Sequence, residues 1–427
     1  MMKRRALSVG ERIMYVDKYQ PINCLFTASI RGELSAYALN NALKKLQKKH
    51  PLLRSIVSEE GTRPYFVLKN EVGPIPIIEY QRKDDHHWET VSKMQWHSFF
   101  DVGNGPLARL IWLNGNGISE IILVCPHCIT DGTSMTTLLK ELLLLIDDPH
   151  YSLEDQPFIE KLSSPLTLSS WKKISLTLKG SLGKAFANIL LPSKTNLDKV
   201  LKPELSYMVR YRLVAQDTKK LLGLCRSQGA SLYTIVGVSL LKTYFNLFPE
   251  KFKGKLICPV DIRKFLPDIK EDQLFAFAPI IELSLSKREQ HAVWSSAKKM
   301  KEDINCGIKK INITEILEMS EGFQKIVPKL VNHLLTKDGT HDFTFSNMGS
   351  LPIQETFNTF EVRSIYSPSV SFPWRNPNTV VMSSYKGILD LTFMSNEAVL
   401  TEKEASDFIR ATFDLLMSTI QQDLLAN

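Results

Sequence analysis

Residues 124–135, VCPHCITDGTSM, hold two overlapping arrangements that would do different chemistry. Cys125 and Cys128 make a C-x-x-C pair, the spacing of a redox dithiol. His127, Asp131 and Gly132 make H-x-x-x-D-G, in which an imidazole with a near-neutral pKa would take up and return a proton. A reactive dithiol needs its first cysteine at a helix N-terminus, where the dipole and free amides lower the thiol pKa. The order of apolar strand, CPHC and helix fits that layout. However, it puts Asp131 and Gly132 in the first helical turns, where glycine costs about 1 kcal/mol relative to alanine. Asp131 or Thr130 serves better as the N-cap, with the helix starting after Gly132. Both thiols then lie on a strand end and loop, with no dipole to activate them. The imidazole reading explains more residues. A strand ending at Pro126 presents His127 on a loop at a sheet edge, Gly132 allows a tight turn, and Asp131 holds that turn by polar contacts. Taken alone, the pattern also suits a buried loop histidine followed by a capping Asp-Gly.

The elements that must position these residues alternate between strand and helix. CLFTASIRG (24–32) reads as a strand, and a helix with an apolar face of Leu34, Ala38, Leu39, Ala42, Leu43 and Leu46 spans 33–49. Pro51 ends that helix by excluding the preceding residue from helical geometry. Short strands are expected at 53–58 and 63–68, and a helix at 87–100. Strands at 107–113 and 119–125 bracket Gly115-Asn116-Gly117, a hairpin signal. A helix over 133–146 follows the motif. Residues 148–200 are rich in Ser, Pro and Thr and read as a linker. Beyond them, strands are expected near 205–214, 255–260, 274–285, 342–346, 358–366, 379–384 and 387–395. The last helix opens on the capping-box pattern Thr401 to Glu404. The division is thus an N-terminal subdomain (1–150) carrying the motif, a crossover (151–200) and a C-terminal subdomain (201–427), both α+β.

Composition narrows the class. The 427 residues are 44% hydrophobic and 23% charged, as in an ordinary globular chain of two to three domains. Six scattered cysteines do not make a disulfide framework, and no metal-ligand spacing accompanies the single C-x-x-C. The basic opening MMKRR is followed by no apolar run of signal-peptide length. LLKELLLLI (138–146) is too short to span a membrane and contains Lys140 and Glu141. A cytoplasmic monomer with reduced thiols is expected. The net charge of +8 suits an anionic partner, but no nucleic-acid motif or long basic run is present.

Six segments in order give the motif its context: HPLLR (50–54), FDVGNGPLARL (100–110), HCITDGTSM (127–135), PVDIRKFL (259–266), SNMG (346–349) and YKGILDLTF (385–393). Together, over about 340 residues, they resemble the condensation-domain and HxxxDG acyltransferase superfamily, whose fold resembles chloramphenicol acetyltransferase. The resemblance implies two similar α+β subdomains, each a mixed sheet flanked by helices, with the active-site channel between them. A strand of the second half is expected to bridge to the first. It implies that His127 is the general base for attack of an acceptor on a thioester, with no acyl-enzyme. Asp131 would be structural and paired with Arg263, and Gly132 part of the same turn. Ser346 and Asn347 would position the oxyanion or substrate, with Thr344 and Ser384 beside them. The co-substrate would be acyl-CoA or the phosphopantetheine of an acyl carrier protein, with no permanently bound cofactor and no metal. Both donors are anionic, and a separate acidic carrier suits the positive charge. Peptide-synthetase condensation domains commonly begin the motif with two histidines, whereas Pro126 stands at the first position here. That departure favours an O-acyltransferase acting on a hydrophobic alcohol, lipid or polyketide-type hydroxyl. Condensation of carrier-bound substrates and a non-catalytic acyl-binding role are the alternatives.

Two further stretches invite readings. Residues 171–192 interleave Trp171, Ile174, Leu178 and Phe186 with lysines, suiting either peripheral membrane contact or a crossover helix interrupted by Gly180 and Gly183. Asp84-Asp85-His86-His87 reads as a solvated helix start, because adjacent side chains rarely converge on one ion.

Overall fold

The computed structural model describes residues 2–16, 20–60, 63–162, 199–266, 268–285 and 293–426. The amphipathic stretch at 171–192 lies outside the described residues. In chain order the elements are β1 (Arg4–Ala6), α1 (Val9–Tyr15), β2 (Asn23–Gly32), α2 (Ala36–Lys49), β3 (Ser55–Glu60), β4 (Arg63–Leu68), β5 (Ile77–Gln81) and α3 (His87–Trp96). There follow β6 (Arg109–Asn114), β7 (Ile118–Pro126), α4 (Gly132–Asp147), β8 (Ser206–Leu213), α5 (Ala215–Ser227), α6 (Leu232–Leu247), β9 (Lys255–Pro259) and β10 (Ile280–Ser284). The chain ends with α7 (Val293–Lys310), α8 (Ile313–Phe323), α9 (Val327–Thr336), β11 (Phe343–Ser350), β12 (Phe360–Ile365), β13 (Ser369–Val370), β14 (Thr379–Tyr385), β15 (Ile388–Asn396) and α10 (Glu402–Ala426).

Two mixed sheets form two lobes. In the first, the strand order is β12-β2-β7-β6-β5, with β13 also paired to β2; in the second it is β10-β9-β11-β14-β15-β8. A small sheet of β1, β4 and β3 sits beside the first. The strands that carry the motif are secured by the hairpin at Gly117, whose φ of 70° suits glycine, and by the long antiparallel pairing of β2 with β7. Ser35 caps α2 by accepting from the Ala38 N–H, and the helix stops at His50 before Pro51. α2 and α4 then cover one face of the first sheet, burying Leu39, Leu43, Leu46, Leu138, Leu139 and Leu142.

β12 and β13 belong by sequence to the second half, yet both pair with β2 of the first lobe. This arm is clamped at its base. Asp390 on β15 accepts from the Ser367 N–H at 2.7 Å and binds Arg210 and Arg212 at 2.6 and 2.9 Å. A mixed apolar cluster joins the lobes, with Leu25, Ile122, Val124 and Trp96 from the first packed with Met208, Val381 and Met394 from the second. The strand expected over 274–285 is confined to Ile280–Ser284. Residues Leu274 and Phe275 are apolar because they are buried as loop residues, not as strand. Among the described residues, no helix is long and apolar enough to cross a membrane.

Candidate active site

β7 ends at Pro126, and His127 leaves it held at both ends of the residue. Its backbone N–H donates to the Ile22 carbonyl at 2.7 Å, and its Nδ1 lies 2.7 Å from the Thr130 carbonyl. A carbonyl oxygen only accepts, so Nδ1 carries the proton and Nε2 is left with its lone pair. Desolvation holds the His127 pKa below the ordinary imidazole value, against the opposing effects of its backbone hydrogen bonds and Asp131. The ring is therefore neutral near pH 7, and it keeps some accessible surface.

Asp131 takes up the N-cap of α4, its carboxylate accepting from the Ser134 N–H at 2.9 Å. Arg263, just beyond β9, grips the same carboxylate with two bonds of 2.7 and 2.8 Å. This is the bidentate fork that suits guanidinium to carboxylate. The Arg263 side chain is 3% exposed and that of Asp131 15%. The rest of the guanidinium is satisfied by Ser134 Oγ at 2.8 Å and by the carbonyls of Gln273 and Phe275. Burial alone would lower the Arg263 pKa, but Asp131 and Asp261 raise it overall. Asp261 pulls in the same direction structurally: it bonds Arg263 at 3.1 Å and accepts from Thr133 Oγ1 at 2.8 Å. Burial would raise its carboxyl pKa, but Arg263 and the hydrogen bonds leave it lowered. Both Asp131 oxygens are thus committed to the N-cap of α4 and the Arg263 fork.

Gly132 is the first residue of α4, and it is not among the positive-φ glycines. No left-handed turn is needed there, unlike the tight turn expected; instead Gly132 lies against the side chain of Met348, where a Cβ would come 2.3 Å from Sδ unless that flexible chain moved. Met348 thus brings the end of β11 against the start of α4. Along β11, Phe343 and Phe345 face the core of the second lobe, so Thr344 and Ser346 face the opposite side. Between Asn347 and Gly349 the pairing with β14 shifts register, and Gly349 takes a φ of 67°. The side-chain Oδ1 of Asn347 closes this bulge by accepting from the Gly349 N–H at 3.0 Å, and the residue is exposed. Among the described residues, Ser384 Oγ reaches only the Gly349 carbonyl, at 3.5 Å. Thr344 sits four residues before Met348, roughly 13 Å along the strand at normal rise, and is not brought to the loop. Ser346 and Asn347 are the members of this group nearest to Gly132 in the chain path.

Phe372, on the arm beyond β13, has its ring 5.7 Å from that of His127 and stacks on Trp374. It carries no sequence signal, lying 245 positions from the histidine. Ser134, Asp261 and Met348 fall within the motifs read from the sequence, but nothing in those motifs marks their roles. The thiols are inert. Cys125 and Cys128 are 0% and 1% exposed, and burial pushes both pKa values far above the ordinary thiol range. Beside the same strand end lies a small, open apolar cleft whose walls include Met14, Ile22, Phe99, Phe100, Pro126 and Cys128.

Two lobes of mixed sheet joined by an arm, with an HxxxDG loop at their junction, define a chloramphenicol acetyltransferase-like fold. The chain belongs to the condensation-domain family, whose profile matches residues 18–237, just over half of its length. It is 24% identical over 252 residues to phthiocerol/phthiodiolone dimycocerosyl transferase of Mycobacterium ulcerans, covering 57% of each chain. It is 23% identical over 273 residues to a plipastatin synthase of Bacillus subtilis, covering 58% of this chain but 10% of that protein. The chain thus spans little more than half of the first relative and a tenth of the second. Among solved structures it superposes on trichothecene 15-O-acetyltransferase of Fusarium sporotrichioides with a TM-score of 0.70 at 15% identity, covering 97% and 95% of the two chains.

Proposed function

We propose that the protein is an acyltransferase that moves an acyl group from a thioester to a hydroxyl, with His127 Nε2 as the general base. The observation that carries this reading is the 2.7 Å contact from Nδ1 to the Thr130 carbonyl, which commits the ring to one tautomer. Nε2 takes the proton of the acceptor hydroxyl as its oxygen attacks the thioester carbon. The tetrahedral intermediate collapses with cleavage of the C–S bond, and the departing sulfur receives the proton from Nε2. The products are an ester and a free thiol, and the imidazole ends neutral as it began. No acyl-enzyme is needed, and the buried thiols are not suited to form one. Ser346 and Asn347 are assigned to the oxyanion or substrate.

The donor is acyl-CoA or the phosphopantetheine of a carrier protein, and the acceptor a hydrophobic alcohol, lipid or polyketide-type molecule. The dimycocerosyl transferase relative and Pro126 in place of a second histidine support it. The plipastatin synthase relative supports a second reading, condensation of two carrier-bound substrates. The test is to incubate the protein with panels of acyl-CoAs and acyl carriers against mixed alcohols and amines, following thiol release and product mass. Ester formation from a free thioester supports the first reading. Turnover only when both substrates are carrier-bound supports the second.

A further inference from the structure

The HxxxDG loop holds His127 by its backbone and by Nδ1, and leaves a face of the ring to be covered from elsewhere. Among the described residues, the Thr130 carbonyl is the one hydrogen-bonding partner of the imidazole. Rotation of a histidine ring about its Cβ–Cγ bond is soft, so a single bond does not by itself keep Nε2 on a fixed line. Phe372 adds the second constraint. Its ring centroid lies 5.7 Å from that of His127 with 31° between the planes, closer to a stacked arrangement than to an edge-on one. The register of the first sheet explains why a residue so distant in sequence arrives there. β2 lies between β7 and the arm strand β13, with Asn23 paired to Pro126 on one side and Cys24 to Val370 on the other. His127 is one residue beyond the first pair, its N–H bonded to the Ile22 carbonyl, and Phe372 is two beyond the second. Both therefore leave the sheet level with Ile22. Neighbouring strands are about 4.8 Å apart, so the two backbones are separated by about 10 Å, a gap that their side chains close.

The segment that carries Phe372 is itself anchored on three sides. Ser369 Oγ accepts from Trp96 Nε1 of α3 at 3.1 Å, and Ser371 Oγ donates to Ser206 Oγ at the start of β8 at 3.0 Å. The Arg375 N–H donates to the Leu334 carbonyl of α9 at 2.9 Å. Between these anchors Phe372 stacks on Trp374, and both pack against the core of the first lobe. The face of His127 is thus covered by a side chain whose backbone is fixed to both lobes. Covering it also excludes water. Desolvation is the largest cause of the lowered His127 pKa, and Asp131, held by Arg263, is the charged neighbour that opposes it. The thiols of Cys24, Cys125 and Cys128 beside the loop are neutral, with pKa values raised by burial. His97, behind Phe372, is neutral as well, its pKa lowered by burial. An aromatic face attracts an imidazolium weakly, but the hydration it displaces is the larger effect. Loss of the Phe372 ring therefore raises the His127 pKa.

We infer that Phe372 is a positioning residue for the transfer reaction: by covering one face of the imidazole, it keeps His127 in the orientation and tautomer that offer Nε2 to the acceptor. The inference rests on the acyl-transfer reading for the reaction that His127 serves. Wild type, Phe372→Ala, Phe372→Leu and Phe372→Tyr are labelled with ¹⁵N-histidine, folding is checked by calorimetry, and the His127 signals are assigned by their loss in His127→Gln. Wild type should show a single neutral tautomer protonated at Nδ1 and a titration midpoint below 6.5. Phe372→Ala should move the midpoint up towards 6.5 and mix the two neutral tautomers. Phe372→Leu keeps apolar bulk without the ring, should change both in the same direction by less, and carries the test if the alanine variant does not fold. Phe372→Tyr keeps the ring and should restore the wild-type pattern. With the thioester and alcohol that the panel identifies, Phe372→Ala should lower kcat about 10–100-fold, the scale of a misplaced catalytic group, and leave KM within about twofold. The proposal is overturned if the folded variants lacking the ring keep the wild-type midpoint and tautomer, or if KM rises while kcat is unchanged. The titrations need no catalysis, so failure of the acyl-transfer reading shows separately, as absence of ester product from wild type.

Discussion

Replacing Arg263 with alanine removes the group that ties the HxxxDG loop to the second lobe. The guanidinium is 97% buried and makes two charged bonds to Asp131, and truncation leaves that carboxylate with only the Ser134 N–H. Breaking a buried pair from one side costs about 3–5 kcal/mol. Two charge-assisted hydrogen bonds at about 1.5–3 kcal/mol each give about 3–6 kcal/mol, which overlaps that range. Unfolding entropy of about 2.1 cal/mol/K per residue amounts to about 0.9 kcal/mol/K over 427 residues. The predicted loss is therefore about 3–6 °C in Tm for cooperative unfolding of both lobes. Arg263→Lys should fall between wild type and alanine, because an ammonium cannot form the fork. Calorimetry and urea unfolding of Arg263→Ala, Asp131→Ala and the double variant complete a cycle. The double variant should cost less than the sum of the singles by about 2 kcal/mol, since each single change orphans the other charge. A melting shift under 1 °C for Arg263→Ala, or strict additivity, refutes this account of the loop.

Four other outcomes are expected. Gly132→Ala places a Cβ 2.3 Å from the flexible end of Met348, which must swing aside; the stability cost should stay under about 1 kcal/mol in urea unfolding, while the contact between the start of α4 and the end of β11 is lost. Cys125→Ala with Cys128→Ala should retain activity within about twofold, and native protein should resist thiol alkylation at both positions, as buried high-pKa thiols do. Because desolvation sets the His127 pKa below its ordinary 6.5, kcat/KM should be level near pH 7 and fall only as pH drops below 6.5. The unfolded ring binds the proton more readily, so His127 also subtracts stability as pH falls through 6.5. A pH–rate profile with an acid limb centred above 7 contradicts this assignment. Asp390→Asn weakens the clamp on Arg210, Arg212 and the Ser367 N–H, and limited proteolysis should then cut the β12–β13 arm faster than in wild type.

The sequence makes some features visible and hides others for physical reasons. β2, the β6–β7 hairpin and α2 are legible because each buries one clear face or ends in a recognisable turn or cap. α4 is displaced by only a residue, since Asp131 reads as a possible cap. α1 escapes a reading by pattern because it buries Glu11 and Arg12, which hide an apolar period. β5 escapes it because it is a half-exposed edge strand with no fully buried residue. LFAFAP (274–279) looks like strand because it is apolar, yet the backbone at its start is spent holding Arg263 through the Gln273 and Phe275 carbonyls. The Asp131–Arg263 pair spans 132 positions, and only the family resemblance suggests it. The contact of Phe372 with His127 spans 245 positions and has no local signature. Nothing in the spacing of HxxxDG reveals that Gly132 lies against the side chain of Met348.

The central claim is that His127 Nε2 carries the proton in acyl transfer. It is tested most directly by single-turnover ester formation with His127→Ala and wild type, using whichever thioester and alcohol the panel identifies, and with folding of the variant checked by calorimetry. Loss of a general base predicts a fall of about 10²–10⁴-fold in the transfer rate, with Tm close to wild type and no acyl adduct on either protein by intact mass. Transfer by His127→Ala at the wild-type rate, or an acyl group found on Cys128, contradicts it.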